Sequence, residues 1–171
     1  MMNWIAGHNE DKLFKGYVNT FASKKRESYS LLFFFLSRLV CHDGVFSTNA
    51  VWYSTDELYF PEFEFNGPPW QARELYDKWN PEKFTDKWET PQLTIAGGKD
   101  FRLPVTEGLA AFNTLQRRGV PSRFVYFDQE NHWVLEPKNS LKWHQEVLGW
   151  LLKYSAPQEK KVDNVSFVCQ S

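Results

Sequence analysis

Cysteine is scarce: the 171 residues hold two, Cys41 and Cys169, far apart in the chain. They make neither a disulfide ladder nor a CxxC pair, and they do not fix a redox compartment. No two histidines have the i, i+4 spacing of a helix-borne zinc pair, so a metal site has little support. An excess of one charge is also missing. Lys plus Arg is 20 and Asp plus Glu is 21, a formal net charge of -1, which argues against a nucleic-acid partner. The longest apolar run, Leu31 to Leu36, falls far below the roughly 20 residues a membrane span requires. The opening Met1-Met2-Asn3-Trp4 has no basic stretch before an apolar core and is not expected to be a signal peptide. No internal repeat is visible. Aromatics, by contrast, are abundant, with Trp 8, Tyr 7 and Phe 15. That content fits one folded domain of ordinary size with a real core.

The second half of the chain reads as parallel α/β structure. Leu93-Thr94-Ile95-Ala96 is a buried-type strand stopped by Gly97-Gly98. A helix follows over Val105 to Arg118, with Leu109, Phe112 and Leu115 at helical spacing, Gly119 at the C′ position and Pro121 beyond. Arg123 to Phe127 is a second strand, Asp128 to Asn139 a loop, and a final helix begins near Ser140 with His144, Val147, Leu148 and Leu151 along one stripe. Strand, helix, strand, helix with short connections means βαβ units. The middle, Val45 to Thr90, reads as short helices joined by Pro- and Gly-rich turns, Gln71 to Trp79 being the clearest. Leu39-Val40-Cys41 is a further strand candidate. Beyond Tyr154 the chain turns polar, and residues 155–171 read as a frayed tail carrying the sequon Asn164-Val165-Ser166.

Ligands and catalytic groups in such sheets sit at the carboxyl ends of the strands. Two loops there carry chemistry: Gly98-Lys99-Asp100-Phe101-Arg102 and Glu130-Asn131-His132-Trp133. Neighbouring strands lie about 4.8 Å apart, so Asp100 and His132 can meet. Asp100 can orient one ring nitrogen of His132 and leave the other as a general base. Each residue also has an ordinary alternative, Asp100 as a turn-former and His132 as a solvated loop residue. His8 reads as a helix-end residue, His42 beside Asp43-Gly44 as turn chemistry, and His144 as a core or interface residue. An oriented base needs a nucleophile. Gly-x-Ser-x-Gly, the strand-to-helix elbow of the α/β-hydrolases, is absent, and none of the eleven serines has that context.

Thr90 to Pro104 resembles the acid-bearing loop of the prolyl oligopeptidase family of serine peptidases, and Asn131-His132-Trp133-Val134 resembles its histidine loop. Met1 to His8 looks like the helix that follows the family's nucleophile. Cys41 to Ser47 and Glu57 to Glu62 are similar to the family's secreted fungal dipeptidyl-peptidases. The resemblance implies a partial α/β-hydrolase fold over residues 1–154. This would be the C-terminal portion, with parallel βαβ units and helices on both faces, lacking the N-terminal strands and the β-propeller. It implies Asp100 as triad acid and His132 as triad base, with the serine a few residues before Met1. The implied activity is release of N-terminal dipeptides by a secreted enzyme, with a peptide as substrate, no cofactor, no metal, no nucleic acid and no membrane. The missing N-terminal half of the domain would be a partner. The alternative is a non-catalytic hydrolase-like module that only binds a partner. The family would run almost directly from Gly16 into Leu39. Here Tyr17 to Arg38 intervenes, opening on codons that can hold a splice donor and running through a Phe-rich stretch encodable by pyrimidines. We read 17–38 as a retained intron.

Overall fold

The computed structural model describes residues 17–18 and 38–154. The frayed tail, Asn164, Cys169, His8 and nearly all of the 17–38 insertion lie outside the described residues. A four-stranded, all-parallel sheet runs β1 (Tyr17–Val18), β2 (Leu39–His42), β3 (Gln92–Gly97), β4 (Ser122–Phe127), each strand beside its sequence neighbour. Val40 pairs with Leu93 and Leu93 with Arg123, so the carboxyl ends of β2, β3 and β4 emerge at one edge. Between β2 and β3 the chain forms α1 (Thr48–Ser54), α2 (Tyr59–Phe65), α3 (Arg73–Lys78) and a 3₁₀ segment, Pro81–Lys87. Helix α4 (Val105–Arg117) joins β3 to β4, and α5 (Pro137–Lys153) follows β4. Among the described residues no helix is long and apolar enough to cross a membrane.

Strand side chains alternate between faces, and both faces of this sheet are covered, as a parallel sheet requires. Leu39 and Cys41 point to one side, where they pack with Trp88, Ala111, Leu115 and Val120. Val40, Leu93, Ile95 and Phe127 point to the other and meet Val147 and Trp150 of α5. Helix α4 ends as its sequence demands. Gly119 takes φ +70, its N–H donates to Gln116, and the Val120 N–H donates to Leu115, a Schellman close in which Val120 also packs on Leu115.

Four sequence expectations need correction. Leu109 is 46% exposed, because the buried face of α4 runs through Gly108, Ala111 and Leu115. In α5, Leu148 is exposed at 57%. His144 is exposed too, its Nδ1 within 2.8 Å of the Ser140 carbonyl oxygen. The sheet-facing stripe is Trp143, Val147, Trp150, Leu151 and Tyr154. Helix α5 also begins at Pro137 rather than near Ser140, since proline at the first helical position costs no hydrogen bond and presets φ.

The Cys41 thiol lies wholly inside this core, and burial pushes it up to about 12. Its folded value is above its unfolded one. The stability it contributes is therefore complete below about pH 9, the free-thiol range, and is lost as pH rises toward 12. We expect the urea midpoint to fall across that window, and to fall less steeply in Cys41→Ala. Burial also raises Tyr76 to about 12, so some alkaline loss remains in that variant.

Candidate active site

The loop after β3 and the loop after β4 interlock through their backbones. The Gly98 N–H donates to the Phe127 carbonyl and the Lys99 N–H to the Glu130 carbonyl, both at 2.8 Å. A Cβ on Gly97 would collide with the Asn131 carbonyl and stand 2.7 Å from that of Glu130. The two glycines that stop β3 therefore serve close approach of one loop to the other. Gly97→Ala forces backbone against backbone, and overpacking of this kind costs about 1–3 kcal/mol. The expected result is a lower urea midpoint of that size with a weakened Asp100–His132 contact, read from the His132 ring resonances.

On this frame Asp100 and His132 meet as the sequence implies. Asp100 is 3% exposed. Its Oδ1 accepts the N–H groups of Arg102 at 3.0 Å and Leu103 at 2.8 Å, an Asx-type turn. Its Oδ2 lies 2.9 Å from His132 Nδ1. Burial raises the Asp100 carboxyl, but the bonds from His132, Leu103 and Arg102 outweigh it and hold it below the usual carboxylate range. An ionised carboxylate only accepts, so Nδ1 carries the proton and Nε2 is left as the basic nitrogen. The His132 side chain is 27% exposed.

Three carboxyl groups of the site were not singled out by the sequence. Glu130, buried, accepts from the Leu135 and Glu136 N–H groups and from Asn139 Nδ2 at 2.9, 3.2 and 2.6 Å, which closes the histidine loop onto the start of α5. The Asn139 bond is the main reason its carboxyl is held low. Glu107 of α4 accepts from Phe46 and Ser47 N–H, each at 2.8 Å, and pins the turn after β2; burial raises its carboxyl against those two bonds. Asp43 ends that strand in a left-handed conformation, φ 50, with Oδ2 3.6 Å from His132 Nδ1. The rule that found Asp100 and His132, side chains at carboxyl ends of adjacent strands, applies to it equally. Arg102 ties the acid loop outward. Its Nη2 donates to Glu57 Oε1 at 2.7 Å, its Nε is 2.6 Å from Oε2, and its guanidinium lies over the rings of Phe60 and Trp133.

Asp43, Asp100 and His132 bring one ligand-type atom each within 4.8 Å of the others. The bond from His132 to Asp100 needs the proton on Nδ1, so that nitrogen does not offer its lone pair to a cation. A carboxylate that orients an imidazole with a basic second nitrogen can accept a proton from a nucleophile and return it to a leaving group.

Known proteins share this chain's sequence and fold. The sequence profile of the prolyl oligopeptidase family matches residues 36–158. Dipeptidyl-peptidase 5 of Schizosaccharomyces pombe is 46% identical over 155 residues, 91% of this chain and 20% of that protein. A probable dipeptidyl-peptidase 5 of Aspergillus terreus is 47% identical over 169 residues, 97% of this chain and 20% of its own. The chain thus spans about a fifth of the length of these curated relatives. Among solved structures, an acylaminoacyl peptidase of Pyrococcus horikoshii shares the fold with a TM-score of 0.66 at 18% identity, over 78% of this chain and 22% of that one. Dipeptidyl peptidase 4 of Porphyromonas gingivalis shares it at 0.60 and 13%, over 69% and 16%.

Proposed function

Because this chain belongs to the prolyl oligopeptidase family, we propose that it carries the acid and the base of a serine-type dipeptidyl-peptidase. In this reading His132 takes the proton of a serine hydroxyl as that oxygen attacks the peptide carbonyl. It then gives the proton to the departing amine, while Asp100 holds the ring and stabilises the imidazolium. The observation that carries the reading is the 2.9 Å contact between Asp100 Oδ2 and His132 Nδ1, with Nε2 left as the basic nitrogen. The serine is supplied by a segment outside these 171 residues, since none of their serines lies in an elbow. Backbone N–H groups beside that serine would receive the oxyanion. The product is a dipeptide cut from a free amino terminus, and the resemblance to the family's secreted fungal members supports an enzyme that works outside the cell.

The experiment is labelling with an active-site-directed fluorophosphonate. The 171-residue chain alone is expected to remain unlabelled and to release no dipeptide. Joined to a segment bearing the elbow serine, the protein is expected to label once per molecule and turn over. Stoichiometric labelling of the chain alone, on any serine, would sink the assignment of the nucleophile. No turnover in the joined protein would favour the binding-module alternative, for which the exposed Tyr59, Phe63, Trp70 and Trp133 offer an aromatic surface.

A further inference from the structure

We propose that Asp43 is a positioning residue of this site, a neutral carboxylic acid that donates its proton to Asp100 and keeps the cluster beneath His132 at a single negative charge. The inference rests on the reading of Asp100 and His132 as an acid–base pair. Asp43 is held at the end of β2 by a bond from its N–H to the Ile95 carbonyl, and its left-handed backbone is a conformation that non-glycine residues keep only where the surroundings impose it. Its side chain is 5% exposed. Oδ2 lies 3.0 Å from His42 Nε2 and 3.6 Å from His132 Nδ1, and one ligand-type atom each from Asp43, Asp100 and His132 lies within 4.8 Å of the others.

Two buried carboxyl groups this close do not both ionise. The donors decide which keeps its proton. Asp100 accepts from Arg102, Leu103 and His132, whereas Asp43 Oδ1 and the neighbouring His42 Nε2 are buried with no aligned hydrogen-bond partner among the described residues. Asp43 has a buried oxygen with no donor among the described residues, while Asp100 has N–H donors on both oxygens, so Asp43 is the poorer place for charge and keeps the proton. The groups facing it agree. They are His42 from β2, Asp100 and Arg102 from the loop after β3, and His132 from the loop after β4. Burial and the Asp100 charge push the Asp43 carboxyl up to about 9, against the pull of Arg102. Burial and His132 push His42 down to about 4, so it brings no charge at neutral pH. Were Asp43 ionised, a second negative charge would lie 3.6 Å from Nδ1. Neutral, it adds a hydrogen bond to Asp100 and no charge.

The test is NMR of the 171-residue chain with carboxyl-¹³C aspartate and ¹⁵N histidine, the Asp43 signal being the one lost in Asp43→Asn. The expected result is an Asp43 carboxyl that stays protonated through pH 7 and titrates near 9. The His132 ring ¹⁵N signals at pH 7 are expected to be unmoved in Asp43→Asn, which keeps a donor and carries no charge. Asp43→Ala, which lacks the donor, should exchange-broaden the His132 Nδ1 proton. If that variant does not fold, the Asn comparison decides. An Asp43 carboxyl titrating near the ordinary value of about 4 overturns the proposal. So does a change of the His132 ring ¹⁵N signals at pH 7 in Asp43→Asn, the effect of losing a carboxylate charge. Turnover is not read. The expected signals in a protein that never cuts a peptide would leave this inference standing and remove the peptidase reading.

Discussion

Asp100→Asn, in the protein joined to its serine-bearing segment, is expected to lower kcat by about 10⁴-fold with KM little changed, the size seen when a triad acid becomes an amide. The reason is local. Asp100 Oδ2 receives the Nδ1 proton of His132, and Oδ1 is already committed to the Arg102 and Leu103 N–H groups. An asparagine keeps its oxygen on those two donors and turns its NH₂ toward the ring. Nδ1 must then accept, the proton moves to Nε2, and the nitrogen that should receive the serine proton already carries one. Steady-state kinetics with a dipeptidyl substrate reads the loss. A decrease below tenfold would mean that Asp100 does not set the tautomer.

Trp88→Ala has the largest expected effect on stability. Trp88 is 0% exposed and lies at the end of the 3₁₀ segment, packed with Leu39, Cys41, Ala111 and Leu115, with the Phe46 ring edge-on at 5.9 Å. Its carbonyl also accepts from Arg118 Nε at 3.0 Å. Truncating a buried Trp to Ala costs about 3–5 kcal/mol, a large share of the 5–15 kcal/mol that holds an average domain together. Urea unfolding should show that loss as a lower midpoint with an unchanged slope. Trp133→Ala, at a side chain 56% exposed, should stay within about 0.5 kcal/mol. Equal losses at the two positions would contradict the placement of the core.

The contrast between those two tryptophans marks what a sequence can carry. Strands β3 and β4 and helix α4 were legible because their stops are local chemistry: Gly97-Gly98, Gly119 at positive φ, Pro121. The Asp100–His132 contact was legible too, since both residues follow strands and parallel neighbours expose the same edge. Which aromatics are inside was not, because Trp70, Trp88, Trp133 and Trp150 differ only in where the fold takes them. Leu109 and Leu148 missed the core for the same reason. A helix with apolar residues on more than one side does not say which stripe meets the sheet. Asp43 was read as part of a turn, and it is one. Its further role depends on the register between β2 and β3, which no local pattern encodes. How much of 17–38 belongs to the folded chain is a matter for the spliced transcript, and a cDNA population that always carries these bases would sink the retained-intron reading.

The backbone bonds from Gly98 to Phe127 and from Lys99 to Glu130 have a consequence for assembly. In the proposed peptidase, acid and base are fastened to each other by main chain before any nucleophile arrives, so they travel as one cassette. Building the active centre then reduces to a single docking coordinate, the placement of one serine oxygen against Nε2. A nucleophile borne on a separate polypeptide meets the same requirement as one in the same chain, and only the effective concentration differs. An enzyme of this design could be split at the elbow and restored by mixing its halves.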